Sequence, residues 1–182
     1  MYPVNLQGKV IALRELRDDD AEAIFSYASR QDVARHVTWD AHPDIATTRE
    51  VLRGWIANAH TEPRTDYELA AVAVDEPLPG WMIAAGRISV TSARHQTGDI
   101  GYVVHPELWG KGIGSEIATL LIRFGFDALG LHRIAATAHP DNPGSQRVLE
   151  RAGMRYEGRI RHHMLTSDGW RDSLSYAILA TD

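Results

Sequence analysis

The chain has 182 residues, a length that fits one globular domain able to bury a core. Hydrophobic residues make up 44% and charged residues 24%, and no stretch reaches the ~18 apolar residues of a membrane-spanning helix. A net charge of -5 without a long basic run argues against a nucleic-acid groove. Cysteine is absent and the nine histidines lack metal-binding helical spacing, so we expect neither disulfides nor a metal.

The N-terminal residues show neither a basic and apolar secretory signal nor a transit peptide. We therefore expect a cytoplasmic protein. No internal repeat, low-complexity tract or linker interrupts the sequence, so residues 1–182 are expected to form a single domain.

The first third of the chain predicts a strand and two helices. Residues 9–16 are typical of a strand, and Asp18 offers an N-cap for a following amphipathic helix. Thr47 and Glu50 have the spacing of a capping box and predict the start of a second helix. Residues 31–45 between the helices are expected to form a loop.

The middle of the chain predicts three strands and a helix. Residues 67–74 and 82–90 are rich in Val, Ile and Ala, and the Pro and Gly residues at 75–80 indicate the turn of an antiparallel hairpin. Thr97–Val104 predicts a further strand. The glycine-rich residues 110–114 then lead into an amphipathic helix.

The last third predicts a strand, a helix and a hairpin. Residues 133–138 form the strand, and Asn142 followed by proline marks a helix start. Residues 154–164 and 170–179 flank an Asp-Gly turn that indicates a hairpin. The full order is β-α-α-β-β-β-α-β-α-β-β, which predicts an α+β fold with a mostly antiparallel sheet.

The segment WGKGIGSE at residues 109–116 carries the strongest chemical signal. Glycines let backbone amides approach a ligand closely. Free N–H groups and the dipole at a helix start attract phosphate, and Lys111 adds a positive charge. A turn that only tightens strand-to-helix packing would have the same composition. The spacing matches neither the ATP P-loop nor the dinucleotide fingerprint, so the pattern does not indicate a nucleoside triphosphate or NAD.

This segment resembles the acyl-CoA signature of the GNAT superfamily, with Gly112 and Gly114 in its last two positions. Trp109 stands where the consensus has Gln or Arg. WGKG after the IGY of residues 100–102 is similar to the branch of RimJ and RimL ribosomal-protein N-terminal acetyltransferases. NPGSQRVLERAGM at residues 142–154 resembles a second motif of that branch.

The resemblance extends through GWRDSLSYAIL at residues 169–179 and covers about the C-terminal half of the chain. It implies the GNAT fold, with about seven strands flanked by four helices. It also implies acetyl-CoA as co-substrate and direct transfer of an acetyl or small acyl group to an amine in a ternary complex. The residues implied in binding the cofactor are Val103, Val104, Trp109, Gly110, Lys111, Gly112, Ile113, Gly114, Ser115, Asn142 and Ser145.

The resemblance implies one catalytic group and leaves the base open. Ser145 would donate a hydrogen bond to the departing thiolate, since a serine hydroxyl is too weak an acid to surrender its proton. Asp99 is the catalytic carboxylate that we select, with Glu107 and His105 as further candidates for the base.

Acceptor choice is expected in residues 31–59 and 161–170, because loops on a rigid scaffold usually carry specificity. The acceptor is expected to be a protein N-terminal α-amine or a small-molecule amine. The side chains expected to contact it are Arg35, His36, Trp39, Asp40 and His162.

Two other functions are compatible with parts of the pattern. A non-catalytic module could keep the CoA site and act as an acyl-CoA sensor. A transferase of the same fold could use aminoacyl-tRNA, but it would need a basic face that this sequence does not show. Membrane and nucleic-acid partners are not expected, and a homodimer is compatible with the sequence.

Overall fold

One sheet of eight strands runs through residues 1–74 and 81–182, the part of the chain that the computed structural model describes. The order across the sheet is β1-β2-β3-β4-β5-β6-β8-β7, and every neighbouring pair is antiparallel except β5 and β6. The strands are β1 (Asn5–Gln7), β2 (Ile11–Glu15), β3 (Asp66–Ala73), β4 (Met82–Ser92), β5 (Thr97–Val104), β6 (Arg133–Ala138), β7 (Arg155–Thr166) and β8 (Gly169–Leu179).

Five α-helices within the described residues cover the two faces of this sheet. They are α1 (Ala21–Ala28), α2 (Gln31–Ala34), α3 (Ile45–Asn58), α4 (Ile113–Asp127) and α5 (Pro143–Arg151). Leu69 packs in a core cluster with α4 and α5, whereas its neighbour Ala70 packs in a second cluster with α1 and α3. Because adjacent residues of a strand point to opposite faces, the α4–α5 face and the α1–α3 face are opposite sides of the sheet.

Helix α4 lies against the sheet where glycine allows a close approach. A Cβ atom placed on Gly125 would come within 2.6 Å of Ile134 Cδ1 and 2.8 Å of Ile88 Cδ1. Both isoleucines are fully buried, so neither side chain has room to move away. This contact fixes the height of α4 above the central strands.

Replacing Gly125 with alanine should therefore destabilise the fold despite the better helix propensity of alanine. We expect a loss of about 1–3 kcal/mol in the free energy of unfolding, the usual cost of overpacking a core. Gly54→Ala is the matched control, because it lies inside α3 with no atom within 4 Å of its added Cβ. That change should instead stabilise by about 0.5–1 kcal/mol. Denaturant unfolding of both variants tests the contrast, and equal effects would contradict it.

Much of the predicted element order is confirmed. Strands β5 and β6 have the predicted bounds, and the antiparallel pairing of β3 with β4 is observed. The turn predicted at residues 75–80 lies outside the described residues. The C-terminal hairpin of β7 and β8 is also confirmed. No helix in the described residues is long and apolar enough to cross a membrane.

The structure has eight strands and five helices within its described part, against about seven and four predicted. The first predicted strand, residues 9–16, is shorter and spans Ile11–Glu15. It pairs with β1, a strand of only three residues that gives no periodic signal. The predicted loop at residues 31–45 contains the single-turn helix α2.

Both predicted N-terminal caps in the first third of the chain are wrong. Asp18 begins a 3-10 turn, because the buried carboxylate of Asp20 accepts from the Arg17 backbone N–H at 2.8 Å and pairs with Arg14. Helix α3 is capped by Asp44, which accepts from the Thr47 N–H at 2.8 Å. The helix therefore starts before Thr47, which lies in its first turn.

Candidate active site

Strands β5 and β6 pair with each other over only three residues. Thr97, Gly98 and Asp99 have partners on β6, whereas β5 pairs with β4 as far as Val104. Beyond Asp99 the two parallel strands diverge, so the facing backbone groups of their later residues have no ladder partner in the described sheet. The end of this pairing leaves an opening between the two strands beyond Asp99.

A glycine cradle lies at the wide end of this opening, between β5 and the first turn of α4. Gly110 and Gly112 have φ values of +78° and +84°, and a Cβ on either would meet no atom within 4 Å. Gly112 is the N-cap of α4 and offers no side-chain acceptor to the first helical N–H groups. The cradle is thus an open set of backbone donors at the positive end of a helix dipole.

The remaining residues of the predicted loop have different surroundings. Gly114 is buried, and its added Cβ would lie 3.3 Å from Val148, so this glycine serves helix packing. Lys111 is exposed beside the cradle. Trp109 donates from its indole Nε1 to the Val104 carbonyl at 2.8 Å, which ties the loop to the end of β5. Ser115 Oγ is buried and makes no hydrogen bond within the described residues.

A pair of hydroxyls bridges β5 and α5 beside the opening. Asn142 caps α5 by accepting from the Ser145 N–H at 3.0 Å, as its position before proline predicted. Ser145 Oγ lies 2.9 Å from the hydroxyl of Tyr102. Burial, opposed by this hydrogen bond, raises the pKa of Tyr102 to about 12. Tyr102 therefore stays protonated at neutral pH and can donate to Ser145.

Asp99 lies on the other face of β5, because it is three residues from Tyr102. Its carboxylate pairs with Arg87 at 2.5 Å, and its side chain is 33% exposed. Burial, partly offset by Arg87, raises the pKa of Asp99 above its usual range. The other two candidate bases lie past the end of β5, where Glu107 is exposed and its N–H donates to His105 Nδ1 at 3.4 Å.

The segment of residues 31–44 is tied to the β7–β8 hairpin, so the structure brings the two predicted acceptor regions together. Arg171 donates to the carbonyls of Arg35 and Val37 at 3.1 and 2.9 Å. Ser167 in the hairpin turn donates to Asp40 at 2.9 Å. These bonds hold the segment near the ends of β6 and β8.

The five predicted acceptor side chains do not form one group. Arg35 and His36 lie together, with Arg35 Nε donating to His36 Nε2 at 3.2 Å. Trp39 packs against the cluster between α1 and α3, and Asp40 bonds the hairpin turn. His162 is exposed and its ring stacks on that of Trp170. It lies in a bulge of β7 with φ +47°, and because a bulge interrupts the regular pleat, the alternation of the strand does not determine where its side chain points.

Comparison with known proteins identifies the family. The sequence pattern of the Acetyltransferase (GNAT) domain matches residues 11–155. The chain belongs to the GNAT acetyltransferase family. It is 42% identical to the Probable N-acetyltransferase YjcK of Bacillus subtilis over 181 residues, which cover 97% of this chain and 98% of that protein.

Two solved structures share the fold of this GNAT protein. A GNAT-family acetyltransferase from Bacillus anthracis superposes with a TM-score of 0.84 at 26% identity, covering 98% of this chain and all of that one. RimJ of Mycobacterium smegmatis, in complex with CoA-disulfide, superposes with a TM-score of 0.83 at 24% identity and covers 98% and 86% of the two chains. The predicted GNAT fold is confirmed.

Family membership establishes the activity class and the co-substrate. The chain is an acyl-CoA-dependent N-acetyltransferase. The open glycine cradle and the divergent strand edge fit a co-substrate that has a pyrophosphate at one end and a long arm with amide groups. Within the described residues, no group of three His, Cys, Asp or Glu side chains is placed to hold a metal ion.

Three residues for which the sequence indicated no individual role lie in the same region. They are Tyr102 beside Ser145, His139 at the end of β6, and Arg171 on β8. The alternation of β5 could have indicated that Tyr102 faces α5. The contacts of His139 and Arg171 join segments more than 100 residues apart, and no local pattern carries them.

A partly buried carboxylate, that of Glu68, lies beside Asp99 on the α1–α3 face, and its side chain is 20% exposed. Its nearest charged partner is Arg87 at 3.8 Å, and burial raises its pKa to about 7. Because the folded-state pKa is raised, Glu68 favours the fold while protonated, and this contribution is lost as pH rises from about 4.5 to 7.

Glu68→Gln should therefore stabilise the protein only in weakly alkaline solution. We expect the melting temperature to rise by about 2–4 °C at pH 8 and to match the wild type near pH 4.5, where both side chains are uncharged. Glu50→Gln, an exposed change on α3, is the control and should have little effect at either pH. A stabilisation that is equal at both pH values would show that ionisation of Glu68 is not its cause.

Proposed function

We propose that residues 1–182 form a single-domain cytoplasmic enzyme that transfers an acetyl group directly to a primary amine in a ternary complex. The divergence of β5 from β6 is the observation that carries this proposal. It leaves a gap between the Tyr102–Ser145 pair on one face of the sheet and Asp99 on the other. A donor and an acceptor that enter from opposite faces would meet in this gap.

The glycine cradle is the proposed site for the pyrophosphate of the co-substrate. The N–H groups of residues 110–115 and the charge of Lys111 would bind it, and buried Ser115 Oγ has hydrogen-bonding capacity to spare. The edge of β5 at Val103 and Val104, which has no β6 partner, would bind the arm of the co-substrate, and the Val104 carbonyl there already accepts from Trp109. Asn142 would act mainly by capping α5 and so placing Ser145.

The Tyr102–Ser145 pair is proposed to stabilise the sulfur that departs from the thioester. The thioester of the bound co-substrate supplies the activated acetyl group. The Tyr102 hydroxyl lies 2.9 Å from Ser145 Oγ and 3.2 Å from the Ser145 carbonyl oxygen, so it has two acceptors within reach. In the reaction Tyr102 would donate to Ser145 Oγ while Ser145 Oγ donates a hydrogen bond to the sulfur. Both hydroxyls stay protonated, so the pair acts by hydrogen bonding instead of by transferring its own proton.

Asp99 is proposed to receive the proton of the attacking amine through water. It lies about 10 Å along the strand from Tyr102, which is too far for direct contact at that level. Its raised pKa makes it a stronger base than an exposed aspartate. An α-amine of pKa ~8 loses about one kcal/mol to deprotonation at neutral pH and a lysine-like amine nearly five, so such a relay suits the α-amine better.

A bulky residue in the cradle tests the donor site. Gly112→Trp should weaken acetyl-CoA binding at least about tenfold, because the indole would fill the space beside the helical N–H groups. Gly130→Trp is the matched control, since Gly130 has φ +64° and equally open surroundings in the loop after α4. Calorimetric titration with acetyl-CoA measures both. Equal weakening in the two variants would assign the effect to backbone strain and contradict the proposed site.

Loss of either hydroxyl tests the departing-group side of the site. Ser145→Ala should lower kcat about 10- to 150-fold, the usual effect of one lost hydrogen bond to a charged group. Tyr102→Phe should lower kcat about 2- to 12-fold, the usual effect of one lost bond between neutral groups, and neither change should alter KM for acetyl-CoA much. The double variant should be no slower than the Ser145→Ala single variant, because Tyr102 acts through Ser145. Thiol release in the presence of an amine measures the rate. Fully additive losses in the double variant would contradict the proposal that Tyr102 acts through Ser145. Tyr156→Phe, a change at an exposed residue, is the control.

A further inference from the structure

The side chains of two arginines and two histidines lie close together at the open end between β5 and β6. They are Arg35, His36, His139 and Arg171. We call them the basic cluster. The rings of His36 and His139 lie edge to face with centroids 5.7 Å apart. Arg35 Nε donates to His36 Nε2, and Arg171 donates to the Arg35 carbonyl. The cluster thus joins the segment after α2 to the ends of β6 and β8.

Hydrogen bonds define which ring nitrogen of each histidine carries the proton. His36 Nε2 accepts from Arg35 at 3.2 Å, so the neutral ring carries its hydrogen on Nδ1. His139 Nδ1 accepts from the Asp141 N–H at 2.9 Å, so its hydrogen is on Nε2. Burial first, and then Arg35, lowers the pKa of His36. Burial and Arg171 lower the pKa of His139, so both rings are neutral donors at neutral pH.

The cluster has donors without acceptors within the described residues. Arg171 Nε and His36 Nδ1 are buried and make no hydrogen bond there, and no contact satisfies His139 Nε2. Among the described residues, Asp141 is the one carboxylate that raises the pKa of both histidines. The guanidinium groups of Arg35 and Arg171 lower both pKa values. A site with surplus N–H groups and surplus positive charge favours an anion with several acceptor oxygens.

The cluster lies close to the level of the Tyr102–Ser145 pair. Asp99 and Ala135 form the last pair of β5 and β6, so Tyr102 lies three residues past that pair on one chain segment and His139 four residues past it on the other. Ala135 lies on the α1–α3 face with Asp99, and His139, just after the end of β6, contacts His36 of the segment after α2. An amine held in the gap near Tyr102 would therefore have the cluster beyond it, at the open end between β5 and β6.

We propose that the basic cluster binds a carboxylate of the acceptor, so that the enzyme selects amines with an acidic group within a few bonds of the reacting nitrogen. The proposal rests on the proposed function for the position of the amine. The carboxylate has two possible sources, the α-carboxylate of a free amino acid and an acidic side chain near a peptide N-terminus. The cluster chemistry is the same for both.

Paired acceptors that differ only in the carboxylate test this proposal. Free amino acids are compared with their amides, and peptide amides that begin with Asp or Glu are compared with those that begin with Asn or Gln. We expect kcat/KM from thiol release to favour the carboxylate member about 10- to 100-fold in one of the two arms. His36→Phe and Arg171→Gln should reduce this ratio towards one. Arg155→Gln, an exposed change on β7 whose partner is Asp182, is the control and should keep the ratio.

A binding measurement separates failure of this proposal from failure of the proposed function. N-acetylated members of the same pairs are titrated into the complex of the enzyme with CoA. Carboxylate-selective binding that Arg171→Gln abolishes supports the subsite even if no amine is turned over. Equal turnover and equal binding of carboxylate and amide members would overturn the subsite and leave N-acetyl transfer intact. Absence of both turnover and selective binding would overturn both proposals.

Because Arg171 also holds residues 35 and 37, a loss of structure must be excluded for its variant. His36→Phe provides this check, since it keeps an aromatic ring against His139 and has no ring nitrogen to donate or accept a hydrogen bond. If Arg171→Gln loses the preference and His36→Phe keeps it fully, the preference depends on the position of the segment and the cluster as a binding site is overturned. Loss in both variants, with unchanged melting temperatures, supports direct binding.

Discussion

The parallel pairing of β5 with β6 stops after three residues, and the position of every part of the site follows from that break. Parallel neighbours need a crossover connection, here α4, which must begin near the end of β5 and return across the sheet. The first turn of α4 and its glycine cradle therefore lie at the wide end of the gap. The close approach at Gly125 then holds α4 against the sheet, so its N-terminus cannot move independently of the strands.

The gap also separates two kinds of chemistry that would interfere on one surface. The hydroxyls of Tyr102 and Ser145 lie on the α4–α5 face, where burial keeps the phenol protonated. Asp99 lies on the α1–α3 face, where burial makes it more basic. In the proposed mechanism the hydroxyl pair donates hydrogen bonds and Asp99 accepts a proton, and strand alternation keeps these groups on opposite faces, out of direct contact.

Local signals in the sequence sufficed for the elements that are proposed to bind the donor. The cap at Asn142, the glycines at 110 and 112, and the bounds of β5 and β6 all depend on neighbours within a few residues. The residues that the sequence did not reveal depend on distant contacts. Arg171 binds carbonyls more than 130 positions away in the chain, and β1 is too short for any periodicity. The cap at Asp44 was missed because Thr47 offered the same local pattern one turn later.

The two halves of the site differ in the atoms that form them, and this difference bears on how the enzyme can change its acceptor. The proposed donor side consists largely of backbone N–H groups held by glycines and a helix start, so most side-chain changes would leave it intact. The proposed acceptor side consists of side chains on two segments that Arg171 joins. Substitutions at Arg35, His36 or His139 can therefore alter the charge that the cleft accepts without disturbing the gap between β5 and β6. Arg171 is the exception, because the same guanidinium supplies charge and holds the segment in place.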